Sequence, residues 1–388
     1  MITHDEIREL ANFHSPATCA LTFYYQPTTP QNRSHRDEFI FVKDVVRNAL
    51  REAEKGGKNA CARTDLERIN ALVETLHGNA GKAKAIFACA DQNFWREFDL
   101  SPHLPKTQVI LNQRFHLKPL VALLHQNRKT LIVLLDRAKA RVFELANGQI
   151  NEQQDFFNEL TRRGRSDGWS GYDAGHAERK QLNEAAQHFR FVSEYLKERY
   201  ERDGFDQLLI GCHDEQWAEI DPQLHTYTKQ KLISRFRVDA KVATREQVKE
   251  VAMQKISEYE AGQKKQLISE IIGEAHRNGN GAVGLRRVLR SLEVGEVQTL
   301  LLGSNFQAPG VKCYHCAHMD LHNAPNCAVC GKPNTQLEDI GDAIVGHAIR
   351  NNIDLLWIDH DEAFDRIGRI AALLRFRADQ NTPMKVAM

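Results

Sequence analysis

Four cysteines in the last third of the chain have the spacing of a metal site. They form two C-x2-C pairs separated by ten residues. Each pair can place two thiolates at neighbouring corners of a tetrahedron, and two pairs complete the shell of a zinc ion. A full shell leaves no open position for a substrate, so the sequence predicts a structural Zn²⁺ in a zinc ribbon over residues 311–335. The predicted ligands are Cys313, Cys316, Cys327 and Cys330.

Two alternatives exist for this cysteine cluster. A C-x2-C pair can also be a redox-active dithiol. Three histidines in the same segment could replace a cysteine as metal ligand, although a surface position is the commoner outcome for such residues. They are His315, His318 and His322.

A basic, glycine-rich segment over residues 162–180, RRGRSDGWSGYDAGHAERK, is the second place that could carry chemistry. No apolar periodicity passes through it, which predicts a long loop. Its cations could bind phosphate and its aromatic side chains could stack on bases. A surface insertion without a ligand is the alternative. The predicted RNA-binding residues are Arg162, Arg163, Arg165, Trp169, Tyr172, His176, Arg179 and Lys180.

The charge balance excludes binding to nucleic acid through overall charge. The 388 residues contain 52 Lys and Arg against 51 Asp and Glu, a net charge of +1. Any contact with nucleic acid must therefore be local. The first residues, MITHDEIREL, lack the cations and apolar core of an export signal, and no apolar run is long enough to span a membrane. We expect a cytoplasmic protein without a membrane partner, whose scattered cysteines, Cys19 among them, are reduced.

The elements that must position these residues alternate between strand and helix patterns. This predicts an α/β fold of three domains, each a mixed sheet with helices: an N-terminal α/β domain over residues 1–125, a middle domain over 126–240 that carries the loop, and a C-terminal domain over 241–388.

The apolar stretch TLIVLLD in the middle domain predicts a strand buried on both faces. A hairpin partner, a long helix, a second buried strand and a second helix follow it. The predicted bounds are Thr130–Asp136, Ala140–Leu145, Ala177–Tyr200, Phe205–Gly211 and Pro222–Phe236.

In the C-terminal domain, Thr244 and Gln247 form a capping box that starts a long helix. The later alternation predicts an α/β/α sandwich interrupted by the zinc ribbon. Gly279, Gly281 and Gly284 match GxGxxG, but a helix precedes them where a dinucleotide site needs a strand. They predict a helix stop and a new start. The acids from Asp359 predict a helix cap.

Several stretches together resemble a known superfamily. The middle-domain stretches TLIVLLD and HAERKQLNEAAQHFRFVSEYLKE, the C-terminal stretches VGLRRVLRSLEVGEVQTLLLG and GRIAALLRF, and the cysteine pairs carry the resemblance. They are similar to the second and third domains of the archaeal and eukaryotic class-1 release factor and Pelota superfamily. Bacterial members of this superfamily include Balon-like ribosome hibernation factors.

The resemblance implies a ribosome-binding protein that enters the A site, points its middle-domain loop toward the peptidyl-transferase centre and contacts ribosomal RNA. It also implies a translational GTPase as partner, with elongation factor Tu expected, and a monomer off the ribosome. Where release factors carry Gly-Gly-Gln, this chain has Ala174-Gly175-His176. The loss of glutamine predicts no catalytic residue and a stress-related hibernation role. A peptidyl-tRNA hydrolase using His176 and a Pelota-like rescue factor are the alternatives.

Overall fold

The structure is a computed structural model that describes residues 2–16, 18–27, 36–55, 59–73, 76, 83–100, 106–124, 128–146, 148–157 and 173–378. Of residues 4, 54–55, 59–61, 124 and 173–178 only the backbone is described. The chain divides into two compact units: one comprises Met1–His125 and Lys265–Met388, and the other comprises Gln126–Lys264. The first unit therefore unites the two ends of the chain. The division into three domains stays a prediction.

The N-terminal part of the first unit is a sheet with helices on both faces. Its sheet has the strand order β3-β2-β1-β4, and all its pairings are antiparallel. The prediction of a mixed sheet is wrong here, because side-chain patterning does not encode the direction of a neighbouring strand. The elements are α1 (His4–Asn12), β1 (Ala20–Tyr25), α2 (Arg36–Lys55), α3 (Asn59–Leu72), β2 (Ala83–Cys89), β3 (Phe94–Leu100), β4 (Gln108–Asn112) and α4 (Lys118–Leu124).

Strand β1 shows how this sheet is buried. All six of its residues are buried. Leu21 and Phe23 pack in one cluster with α2 and α3, whereas Tyr24 packs in another with α1, α4 and the C-terminal part of the chain. Because neighbouring side chains in a strand point to opposite faces, both faces need a cover. The chain supplies the second cover from its own C-terminal part.

The second unit is built on a mixed sheet of order β7-β6-β5-β8-β9. Strands β5, β8 and β9 run parallel, while β6 and β7 pair antiparallel. The elements are β5 (Thr130–Leu135), β6 (Lys139–Ala146), β7 (Gln149–Phe157), α5 (Asp173–Asp203), β8 (Gln207–Gly211), α6 (Asp214–Ile220), α7 (Thr226–Lys231), β9 (Leu232–Phe236) and α8 (Arg245–His276), which extends past this unit.

Strand β5 is fully buried, as the TLIVLLD stretch predicts. Val133 lies in a cluster with Phe189 and Val192 of α5. Ile132 lies in a cluster with Val248, on the N-terminal half of α8. Helices α5 and α6 therefore pack on one face of the middle sheet and α8 on the other.

The prediction of one helix over Pro222–Phe236 is wrong. Pro222 belongs to a single 3-10 turn, and the helix that follows is α7, only six residues long. The last part is strand β9, which pairs in parallel with β8. Pairing with a neighbouring strand, which local propensity does not report, decides the structure of Leu232–Phe236.

The C-terminal part of the first unit has helices on both faces of a four-stranded sheet, order β10-β16-β11-β15. Leu300 and Leu302 of β11 pack against α9 and α10, and Leu301 packs against the end of α8 and α11. This is the predicted sandwich. Its elements are β10 (Gly281–Val283), α9 (Leu285–Val294), β11 (Val297–Gly303), β12 (Gly310–Lys312), β13 (Met319–Asp320), β14 (Thr335–Leu337), α10 (Ile340–Arg350), β15 (Asp354–Ile358), α11 (Glu362–Arg366) and β16 (Ile370–Leu374).

Two helix starts confirm their predicted caps. Thr244 and Gln247 hydrogen bond reciprocally at the start of α8, and the carboxylate of Asp361 accepts from the backbone N–H of Phe364 at the start of α11. The expectation for Cys19 is wrong, because this completely buried residue is disulfide-bonded. Spacing along the chain does not report which sulfurs meet in space. Among the helices whose residues are described, none is long and apolar enough to cross a membrane.

Arg141 connects three elements of the second unit. Its Nε and Nη2 donate to the two carboxylate oxygens of Glu152 at 2.6 and 3.0 Å, and its Nη1 donates to the carbonyl oxygen of Ala243 at 2.7 Å. Arg141 lies on β6, Glu152 on β7, and Ala243 just before α8. The hydrogen bonds from Arg141 lower the pKa of Glu152.

We expect Glu152→Gln to lower the local stability of β6 and β7 by about 1–3 kcal/mol at pH 7, because it removes a bidentate, charge-assisted pair. The folded pKa of Glu152 is depressed, so the contribution is present above the ordinary pKa of 4.5 and is lost as the pH falls through the folded value. Hydrogen exchange of the β6 and β7 amides at pH 7 measures the difference. In guanidinium unfolding at pH 4 and below, the stability difference between Glu152→Gln and the unsubstituted protein should become smaller.

Glu362→Gln is the matched control. Glu362 pairs with Arg366 while its side chain is 91% exposed, so the loss should stay below about 0.5 kcal/mol. Equal losses in the two variants would contradict the role of Arg141.

Gly281 lets β10 pass close to α8. A Cβ at this position would lie 2.6 Å from the backbone nitrogen of Ala275, and closer still to the carbonyl oxygen of Ile271. Gly284 has φ +80° at the start of α9. The glycines therefore end one helix and begin the next, as predicted.

We expect Gly281→Ala to lower the free energy of unfolding by about 1–3 kcal/mol or more, because two backbone segments must separate. Gly262→Ala is the control, since Gly262 lies in α8 with nothing within 4 Å of an added Cβ, and it should raise stability by about 0.5–1 kcal/mol. Guanidinium unfolding compares them. The close approach would be refuted by a Gly281→Ala protein as stable as the unsubstituted chain.

Candidate functional site

The four cysteines predicted as metal ligands come together in a small three-stranded ribbon of order β13-β12-β14. Their sulfur atoms all lie within 4.8 Å of one another. The Sγ atoms of Cys313 and Cys330 are 3.4 Å apart, and those of Cys316 and Cys327 are 3.5 Å apart. A tetrahedral shell with bonds of about 2.3 Å would place sulfurs about 3.8 Å apart. The cluster therefore fits one ion bound by four thiolates.

Each cysteine pair lies in a tight turn of the same design. The N–H of Ala317 donates to the carbonyl of Cys313 at 2.9 Å, and that of Gly331 donates to the carbonyl of Cys327 at 2.9 Å. Ala317 and Gly331 stand four residues after the first cysteine of their pairs and have left-handed φ of 64° and 71°. The two turns therefore repeat one backbone conformation.

Backbone N–H groups donate to two of these sulfurs, those of Cys313 and Cys327. Val329 donates its N–H to the Sγ of Cys327 at 3.4 Å. Burial raises the pKa of the Cys313 thiol, but the N–H groups of Cys316 and His315 donate to its sulfur and bring the pKa to about 7. Thiolates are the form that binds metal.

The ribbon histidines do not join the sulfur cluster in the part of the chain that the structure describes. His315 and His322 are exposed. The Nδ1 atom of His318 contacts the carboxylate of Glu293 at the end of α9, and the same carboxylate accepts from the N–H of Met319. His318 thus fastens the ribbon to the sandwich.

Most of the predicted RNA-binding segment lies outside the described residues. Arg162, Arg163, Arg165, Trp169 and Tyr172 all fall there, and only the backbone of His176 is described. Arg179 and Lys180 are exposed on α5. The RNA contacts stay a prediction.

The predicted loop was too long at its C-terminal end. Helix α5 begins at Asp173, ahead of the expected start near Ala177, so residues 173–180 are helical. The sequence around Gly175 contains few apolar residues, so it shows no apolar stripe that would indicate a helix. His176 therefore occupies the first turns of a helix.

Two polar residues that sequence patterns did not single out lie at the C-terminal end of the central strand β5. Asp136 follows β5, and its Oδ1 accepts from the N–H groups of Ala138 and Lys139 at 2.6 and 2.7 Å. His188 of α5 is 5% exposed. Burial lowers its pKa, against the opposing effects of a backbone hydrogen bond with Lys139 and the charge of Asp136.

Lys139 pairs in register with Phe157, the last residue of β7 and the last described residue before the basic segment. The lowered pKa favours a neutral imidazole for His188 near neutral pH. A histidine beside an apolar helical stripe gives no sequence signal that separates it from an ordinary core residue.

The middle of the chain matches a protein-family model. Residues 116–257 match "Bacterial archaeo-eukaryotic release factor family 10". This range includes the whole sheet of the second unit, α5 and the start of α8.

Known proteins are similar over a longer part of the chain. "Peptide chain release factor subunit 1" of Pyrococcus abyssi is 24% identical over 297 residues, which cover 69% of this chain and 70% of that protein. Among solved structures, Saccharomyces cerevisiae Dom34, a translation termination-like factor, is 12% identical with a TM-score of 0.43, over 78% of this chain and 82% of that one. Archaeoglobus fulgidus Pelota is 13% identical with a TM-score of 0.33, over 77% and 81%. The family model and the archaeal relative confirm the resemblance, found in the sequence, to the bacterial branch of the archaeal and eukaryotic class-1 release factor and Pelota superfamily.

Proposed function

We propose that this chain is a ribosome-associated translation factor that occupies the A site and keeps ribosomes inactive, without catalysing a reaction. One observation carries the proposal. Residues 116–257 match a bacterial release-factor family, yet the sequence contains no Gly-Gly-Gln triplet. By the resemblance, Ala174-Gly175-His176 falls near the position of that triplet, so the glutamine that would position water for ester hydrolysis is missing.

The basic segment between β7 and α5 is the proposed contact with ribosomal RNA. Arg162, Arg163 and Arg165 would bind phosphates, with Arg179 and Lys180 adding positive charge on α5. Trp169, Tyr172 and His176 would stack on bases or hydrogen bond to them. The chain as a whole has a net charge of only +1, so this local charge would direct the protein to one site.

A translational GTPase would deliver the protein. The C-terminal sandwich is the proposed contact surface for it, and elongation factor Tu is the expected GTPase. The name of the archaeal relative, a release factor subunit, supports a place among translation factors. Off the ribosome we expect a monomer in the cytoplasm.

We expect the protein to co-sediment with vacant ribosomes on a sucrose gradient. Arg163→Glu with Arg165→Glu should weaken binding at least about tenfold, since two phosphate contacts become repulsive. Binding should also fall steeply with salt. The control is the double variant Arg47→Glu with Arg51→Glu on α2, which changes the charge by the same amount at exposed positions. It should leave ribosome binding intact.

The proposal is wrong if the protein stays at the top of the gradient with vacant ribosomes present. The same complexes test the alternatives. Release of labelled peptide from peptidyl-tRNA, abolished by His176→Ala, would show a hydrolase. Preference for ribosomes carrying peptidyl-tRNA over empty ones would show a rescue factor.

We also propose that Cys313, Cys316, Cys327 and Cys330 hold one structural Zn²⁺. The sulfur spacing and the backbone N–H groups aimed at the sulfurs support this. Bound zinc would cross-link two turns that share a ribbon too small for a core of its own. With four thiolate ligands it would have no open position for catalysis.

We expect one zinc per chain by elemental mass spectrometry. Cys327→Ser should lose it and melt the ribbon, which hydrogen exchange over residues 311–335 would report as loss of protection. Cys212→Ala changes a buried cysteine of the second unit and should keep the metal. A full metal content in Cys327→Ser would rule out the four-thiolate site.

A further inference from the structure

Three cations that are not among the predicted metal ligands or the predicted RNA-binding residues meet inside the first unit. Arg114 lies just after β4, Lys312 ends β12, and Arg350 ends α10. Lys312 is only 2% exposed, and the two arginines are half-buried. Buried cations are costly unless a partner compensates them.

The distances show that these side chains converge. The Nη1 atoms of Arg114 and Arg350 both donate to the carbonyl oxygen of Ala11, at 3.1 and 3.0 Å. The ring of Tyr314 lies 5.6 Å from the Nζ of Lys312 and 6.0 Å from the Cζ of Arg114. The like charges therefore share one small region.

No carboxylate forms an ion pair with any of the three cations in the described part of the chain. Asp342 is the acid that acts on Lys312, and its Oδ1 is 3.0 Å from the Nδ1 of His116. The ammonium of Lys312 has no hydrogen-bond acceptor among the described residues. The Nε of Arg114 and the Nε2 of His14 are buried and likewise without a partner there.

Capping of helix α1 explains only part of this arrangement. Ala11 and Phe13 lie at the end of α1, where free carbonyls attract cations. Capping uses the Nη1 of Arg114 and the Nη1 of Arg350. It leaves Lys312 and the remaining guanidinium donors unexplained.

We propose that Arg114, Lys312 and Arg350 form a binding site for a phosphate group. Three cations against the single acid Asp342 leave an excess of two positive charges, which suits a phosphate better than a carboxylate or chloride. Guanidinium forks match phosphate oxygens, and a lysine supplies a point charge. His14, whose ring lies 5.5 Å from that of Tyr314, and the hydroxyl of Tyr314 add hydrogen-bonding groups. The site does not depend on the proposed ribosomal function.

Free phosphate or a small phosphate monoester could supply the group, and so could the 5′ end of an RNA. Titration calorimetry with inorganic phosphate, at ionic strength held constant with sodium chloride, tests the site. We expect one phosphate per chain. Lys312→Met should weaken phosphate binding at least tenfold. In chloride buffer without phosphate, its melting temperature should not fall below that of the unsubstituted protein, because an unpaired buried cation is replaced by an apolar side chain of similar length.

Two further variants keep the test independent of the neighbouring Cys313. Arg350→Gln, remote from the cysteines in sequence, should also weaken phosphate binding at least tenfold. Arg290→Gln removes an exposed cation of α9 and should change nothing. The inference is overturned if phosphate does not bind saturably, or if it binds Lys312→Met and Arg350→Gln as well as the unsubstituted protein.

A competition experiment shows which kind of molecule supplies the phosphate group. A short RNA with a 5′ phosphate that displaces inorganic phosphate, while its 5′-hydroxyl counterpart does not, would support the site and assign it to RNA ends. Binding of inorganic phosphate without such competition would support it as a site for free phosphate or small monoesters.

Discussion

The structure depends on the burial of its central strands on both faces. Every residue of β5 is buried, and neighbouring side chains point to opposite sides of the sheet. The strand therefore needs a cover on each face, which α5 and α6 supply on one side and α8 on the other. The same constraint acts on β11 in the sandwich.

Continuous apolar strands and capped helix starts could be predicted from the sequence because their signal is local. TLIVLLD and the capping box of Thr244 and Gln247 are examples. Strand β9 could not, since Leu232–Phe236 becomes a strand only by pairing with β8. Helix α1 starts with a capping box of Thr3 and Glu6, and this Thr-x-x-Glu spacing is a local signal of a helix start.

The candidate sites differ in the same way. The cysteine cluster was predictable because each pair of ligands is adjacent in sequence, so spacing alone constrains the geometry. The convergence of Arg114, Lys312 and Arg350 was not, because these residues come from three distant parts of the chain. Local patterns also could not report that His188 is buried beside Asp136. Such groups become visible only when the packing is known.

The union of the two chain ends in one unit has a consequence for synthesis. Arg350 donates to the carbonyl of Ala11, 339 residues earlier, and α1 shares its core with α10. The N-terminal part leaves the ribosome first but cannot complete its core until the last strands emerge, which at about 5–20 residues per second takes roughly 10–50 s. The contiguous second unit can fold in the meantime. The newly made N-terminal sheet must therefore remain uncovered on one face for that time, which makes it a natural client for chaperones.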